Sequence, residues 1–283
     1  YTTEGGNGGA VIWTGSIGLI DECTFTNNTA LRLGGAVYLQ RNTNITFRKS
    51  RFISNVAGIN GGAIDFNRGA SNGTIIDSVF ENNIANRSGG AVFWFGTNGT
   101  IKNSNFTNNK ALGIIEYKDS YGELTFGGYG GAVIWTGPNG IVDNCRFEGN
   151  DAKLRGGAVY LQGSDEGDCI NTTFSNSVFL RNHAGTNGGA IDWHDGAEDG
   201  LVDNATFINN TAYRNGGAVF WHGYNGTIKN SRFINNRATG TNWEHDLIVD
   251  MGDTIEVLDD GTLILGNIVV LQNGSIPIGP DIS

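Results

Sequence analysis

Residues 89–111 read GGAVFWFGTNGTIKNSNFTNNKA, from Gly89 to Ala111. Short β-branched and aromatic runs alternate here with clusters of Gly, Asn and Ser, which is the pattern of strands and turns and has no helical period. Two signatures lie inside the stretch. One is Gly-Gly-Ala followed by Val or Ile. The other is Phe-x-x-Asn-x-Ala. The first recurs eight times, starting at Gly8, Gly34, Gly61, Gly89, Gly130, Gly156, Gly188 and Gly216. The second follows each copy, on Phe25, Phe52, Phe80, Phe106, Phe147, Phe179, Phe207 and Phe233. Self-similarity at a period of about 26–41 residues is the mark of a solenoid, in which each repeat stacks on its neighbours.

The residues after Gly-Gly-Ala run VIW, VYL, IDF, VFW and then VIW, VYL, IDW, VFW. A block of four repeats is therefore duplicated, giving blocks 8–129 and 130–246 within an array spanning 1–246. Extra residues near Leu112–Gly128 and Gly163–Cys169 read as loops on the flank. Residues 247–283 lack the signature and read as irregular coils or a C-terminal cap of the same domain. Tyr1–Asn7 resemble the end of the insert before Gly130, so the array is expected to be part of a longer chain.

Period-two alternation assigns faces. After Gly-Gly-Ala the first and third positions are always apolar and point inward. The middle position varies and is expected to point outward, exposing Tyr38, Phe93, Tyr160 and Phe220, with Gln40, Phe95, Gln162 and His222 on the same face. If each repeat is one coil, equivalent residues stack about 4.7–4.9 Å apart. Phe then stacks on Phe, and a buried Asn ladder satisfies its own amides. The glycine pair marks a corner where positive φ or close backbone approach excludes a side chain. The expected fold is all-β: a right-handed parallel β-helix, pectin-lyase-like, with about eight regular coils of about three short strands each.

Composition agrees. Glycine supplies 45 of 283 residues and proline only 3, which excludes collagen and Pro-rich linkers. Hydrophobic residues make up 39% and charged residues 16%, which argues against disorder. The net charge is −10, and no basic cluster offers a nucleic-acid footprint. No run of 18 apolar residues predicts membrane insertion. Cys23, Cys145 and Cys169 are too few for a disulfide scaffold; Cys23 and Cys145 occupy the column held by serine in other coils, and a Cys145–Cys169 bond is the alternative to buried free thiols.

The paired Gly-Gly-Ala-Ile/Val and Phe-x-x-Asn motifs are similar to the repeats of chlamydial polymorphic membrane proteins. The Asn-rich, Trp-containing form at Gly89–Ala111 resembles the adhesin-like surface proteins of methanogenic archaea. The resemblance covers about Gly8 to Ala238 and implies an extracellular, surface-anchored β-helix that attaches to other cells, surface glycans or surface proteins. It implies no catalytic residue and no cofactor.

Candidate sites follow from the outward column. Tyr38, Phe93, Tyr160 and Phe220 suit stacking on sugars or a protein partner. Their alternative role is to stabilise the sheet beneath covering segments. His194 and His222 occupy one column on consecutive coils beside Asp192, an arrangement that could take a metal or a sugar; polar residues on a strand face are the simpler reading, and no metal is assigned. Asn72, Asn98 and Asn225 head Asn-Gly-Thr sequons, which are glycosylation candidates and also good turn sequences. Acidic groups such as Asp192/Asp195 and Asp165/Glu166/Asp168 raise a second function, a polysaccharide lyase or hydrolase of β-helix type. The expected function is a non-catalytic adhesin rod, with a purely structural envelope spacer as the third reading.

Overall fold

The computed structural model describes residues 5–240, except 42, 115–116, 119–123, 126, 164–168 and 195, together with 255–257 and 263–265. The coils are numbered here 1 to 8 from their Gly-Gly pairs. In coil 4 the chain runs through Val92–Trp94, Thr100–Lys102, Asn105–Thr107 and Lys110–Ala111. Equivalent strands of all eight coils pair in parallel, forming four eight-stranded sheets. Register follows the repeat: Val92 faces Ile64 and Val133, and Phe106 faces Phe80 and Phe147. The fourth sheet exceeds the expected three. Its strands are two residues long and end on the Ala of Phe-x-x-Asn-x-Ala, too short for any alternation to be visible in sequence.

The interior is built from columns of equivalent side chains, one from each coil. The eight signature phenylalanines stack with ring centroids 4.7–4.9 Å apart and planes within 9°. That spacing is the strand separation itself, so in-register stacking dictates the ring contacts. A second column carries Phe66, Trp94 and Trp135, and Trp193 and Trp221, stacked at 3.9–4.7 Å. The asparagine column closes as expected. Asn109 donates its backbone N–H and Nδ2 to Asn150 Oδ1 (3.0 and 3.0 Å) and Nδ2 to Phe80 O (3.1 Å), and it accepts from Asn83 N and Nδ2 (3.0 and 2.9 Å). Each Asn from Asn55 to Asn210 thus ties three coils in a buried column, where an unmet amide would be costly.

Each glycine of the corner pair has its own reason. Gly61 is left-handed, with φ 65°, a conformation that L side chains disfavour. Gly62 is needed for space: a Cβ there would lie 2.0 Å from Gly90 O on the next coil. The Asn-Gly turns divide the work differently from the expectation. Asn98 itself takes the left-handed conformation (φ 54°), which Asn tolerates. Gly99 makes room, because a Cβ would lie 2.4 Å from the Trp94 ring.

The insert after coil 4 is pinched at its base, where Gly113 packs against Gly127, and within it Tyr117–Lys118 pairs antiparallel with Leu124–Thr125. Cys23, Cys145 and Cys169 are all free, so the Cys145–Cys169 bond is not formed. Burial pushes the Cys145 and Cys169 thiols up to about 12. Cys145 joins the serine column: its N–H donates to Ser177 Oγ (3.1 Å), and Ser50 and Ser78 repeat the bond (3.1 Å). Most of the proposed C-terminal cap, 247–283, lies outside the described residues. Within it, Ile255–Val257 pairs antiparallel with Leu263–Leu265, unlike the strands of the four long sheets.

Candidate functional site

The outer side of the first sheet, the one containing Val92–Trp94, carries the candidate residues. Its variable column is in register, with Tyr38 opposite Asp65 and Tyr160 opposite Asp192, which in turn faces Phe220. The expected exposure is corrected. Tyr38 is 7% exposed, Tyr160 2%, Phe220 7% and Asp192 0%; Phe93 is half-buried. These side chains stand outside the interior core and are buried by something else. The Gly-Gly corner folds back flat over the sheet: a Cβ on Gly188 would lie 2.8 Å from Asp192 Cβ, and one on Gly89 3.0 Å from Ile134. The segment before the corner adds to the cover, since Tyr129 stacks on Tyr160 at 4.8 Å. Alternation tells which side a residue faces. Burial depends on what the side-chain-free corner lays over it.

The surface is supplied by the next position along. Thr14, Gln40, Asn67, Phe95, Thr136, Gln162, His194 and His222 form a row in which Thr14, Gln40 and His222 are exposed and none of the eight is buried. Four of these, Gln40, Phe95, Gln162 and His222, were expected on this face and are at the surface. Arg68 lies over the Phe95 ring at 5.3 Å, a cation–π distance. In the second block the row is underpinned by aromatics. Tyr160 Oη donates to Gln162 Oε1 (3.1 Å), and the His194 ring lies 5.8 Å from Tyr160 and 5.7 Å from His222. Arg155 Nη1 sits 2.8 Å from both ring nitrogens of His194, so a guanidinium covers one edge of that imidazole.

His194 and His222 are thus brought together at the expected spacing, with Asp192 beneath the surface rather than beside them. Among the described residues, no group of three or more His, Cys, Asp or Glu side chains is placed to hold a metal ion. Asp195 and the Asp165/Glu166/Asp168 group lie outside the described residues. Sequence reasoning missed Arg155 and Tyr129, because the position before the Gly-Gly pair changes residue type from coil to coil (Leu33, Asn60, Ser88, Tyr129, Arg155, Asn187, Asn215) and so shows no column. Their one visible signal is position: each lies directly before a corner.

Asn72, Asn98 and Asn225 are exposed and left-handed, with φ 52–54°. Asn98 Nδ2 donates to Asn72 Oδ1 (3.0 Å) and Asn139 Nδ2 donates to Asn98 Oδ1 (3.0 Å), so a ladder of amides runs along this outer corner as well.

Neither a curated protein nor a solved structure gives a match to the chain. A family model described as "Right handed beta helix region" matches residues 8–275, which takes in every coil and supplies the handedness that the parallel registers leave open. With its parallel sheets, corner glycines and family match in agreement, the chain belongs to the right-handed β-helix family.

Proposed function

We propose that this chain is a non-catalytic, extracellular adhesin module: a β-helical stack that presents a row of weak contacts to glycans or proteins on other cells. The observation that carries the reading is the contrast between inside and outside. The interior columns hold the same Phe and Asn in all eight coils, whereas the surface row changes from coil to coil among amide, hydroxyl, aromatic and imidazole side chains. Amide and aromatic groups at a repeat of about 4.8 Å suit hydrogen bonding and stacking on sugar rings. Contacts fixed on one rigid body add through effective concentration.

The test is a glycan-array and whole-cell binding screen comparing the protein with a Gln162→Ala/His222→Ala double variant. Binding lost in the variant, with an unchanged thermal midpoint, is the expected result. Equal binding by both removes this row as the recognition surface. The carbohydrate-active reading draws on one observation, the fully buried Asp192 carboxyl beneath the His194/His222 row. It requires release of sugar ends from a polysaccharide and loss of that release in Asp192→Asn. The same panel, assayed for reducing ends, separates the two.

A further inference from the structure

Asp65 is the coil 3 counterpart of Asp192, and its surroundings are more completely defined. It is 0% exposed. Tyr38 of coil 2 and Phe93 of coil 4 flank it in register, and the Gly61 corner closes over it, so that a Cβ there would lie 3.1 Å from Asp65 Cβ. Asn67 Nδ2 approaches Asp65 Oδ1 at a long 3.4 Å. Asp65 Oδ2 is buried without a hydrogen-bond partner, and so is Oδ1 of Asn60, the residue just before Gly61. Asp65 Oδ2 and Asn60 Oδ1 are thus two buried acceptor oxygens that each lack a donor.

Among the described residues, no cation forms an ion pair with Asp65. Phe93, Asn60 and Asn67 are neutral. On the flanking corners, Arg32 acts on Tyr38, while the stem of Arg87 lies against Gly127. Burial drives the Asp65 acid well above the usual carboxylate range, and the Asn67 bond opposes this only in part. The Tyr38 phenol is raised as well, by burial first and then by the neighbouring Asp65.

We propose that Asp65 is held as the neutral carboxylic acid, with its Oδ2 hydroxyl serving as the donor that the Asn60 corner lacks, so that coil 3 is tighter in acid and loosens as the proton leaves. The direction follows from linkage. Below about pH 4 the acid is protonated in both the folded and the unfolded chain, and the full contribution is present. As the pH rises, the unfolded chain releases its proton first, and stability falls until the folded acid itself titrates.

Asp65→Asn tests this, because the amide keeps the shape and supplies an N–H donor without a titrating proton. Unfolding of both proteins is followed across about pH 4–8. The folding constant of the unaltered protein should fall relative to the variant by about tenfold per pH unit above about pH 4, until the folded acid ionises. Parallel curves would overturn the proposal. If the variant does not fold, 13C NMR of the Asp65 carboxyl carbon in the unaltered protein decides. A protonated signal persisting at about pH 6, two units above the usual carboxylate value, supports the proposal, and an ionised one overturns it.

Discussion

Replacing Asn109 by alanine strikes the asparagine column at mid-stack. The side chain accepts two bonds from Asn83 and donates two, to Phe80 O and Asn150 Oδ1, all between 2.9 and 3.1 Å in a fully buried setting. Truncation leaves the Asn83 backbone N–H without an acceptor and removes three further bonds. One orphaned buried donor at about 1–3 kcal/mol and three lost bonds at about 0.5–1.5 kcal/mol each come to about 2.5–7.5 kcal/mol. That is a large fraction of the total stability of an ordinary domain. Asn108, the preceding residue, is exposed, and its replacement by glycine should stay within about 0.5 kcal/mol because its left-handed conformation suits glycine. Urea unfolding, followed by the fluorescence of the buried Trp94 and Trp135, measures both. Amide exchange at Asn83 should accelerate in Asn109→Ala alone. A midpoint for Asn109→Ala indistinguishable from that of Asn108→Gly, with Asn83 still protected, would refute the argument that the ladder holds the coils together.

Gly99→Ala places a Cβ within 2.4 Å of the Trp94 ring and should destabilise by about 1–3 kcal/mol through forced displacement of the indole, visible as a lower thermal midpoint and a shifted tryptophan emission. Native protein at about pH 8 should take up one thiol label, at the exposed Cys23, and three after unfolding. Cys145 and Cys169 are buried, and their thiols, pushed up to about 12, remain protonated; mass spectrometry of the labelled chain counts the additions.

The coil architecture was legible because the physics of stacking is the same at every level. Phe106 must meet Phe80 and Phe147, and Asn109 must meet Asn83 and Asn150, so each position is constrained by its copies and the constraint is written as repetition. The flank was legible only in part. Tyr160 and His194 lie on the same outward side of the sheet, yet Tyr160 is buried and His194 half-exposed. Nothing in the alternation separates them. The difference arises from where the glycine corner lies and from Tyr129, which reaches Tyr160 from the position before a corner, where the residue type changes from coil to coil.

From the sequence alone came the period, the parallel stacking, the inward columns and the glycine corners, because those depend on short-range geometry repeated at the strand spacing. The tertiary structure decided which outward residues see solvent. It laid the side-chain-free corner over Asp65 and Asp192 and left Gln40, Phe95, Gln162 and His222 at the surface. The physical reason is that facing is a property of one strand, whereas burial is set by whatever other segment packs against it.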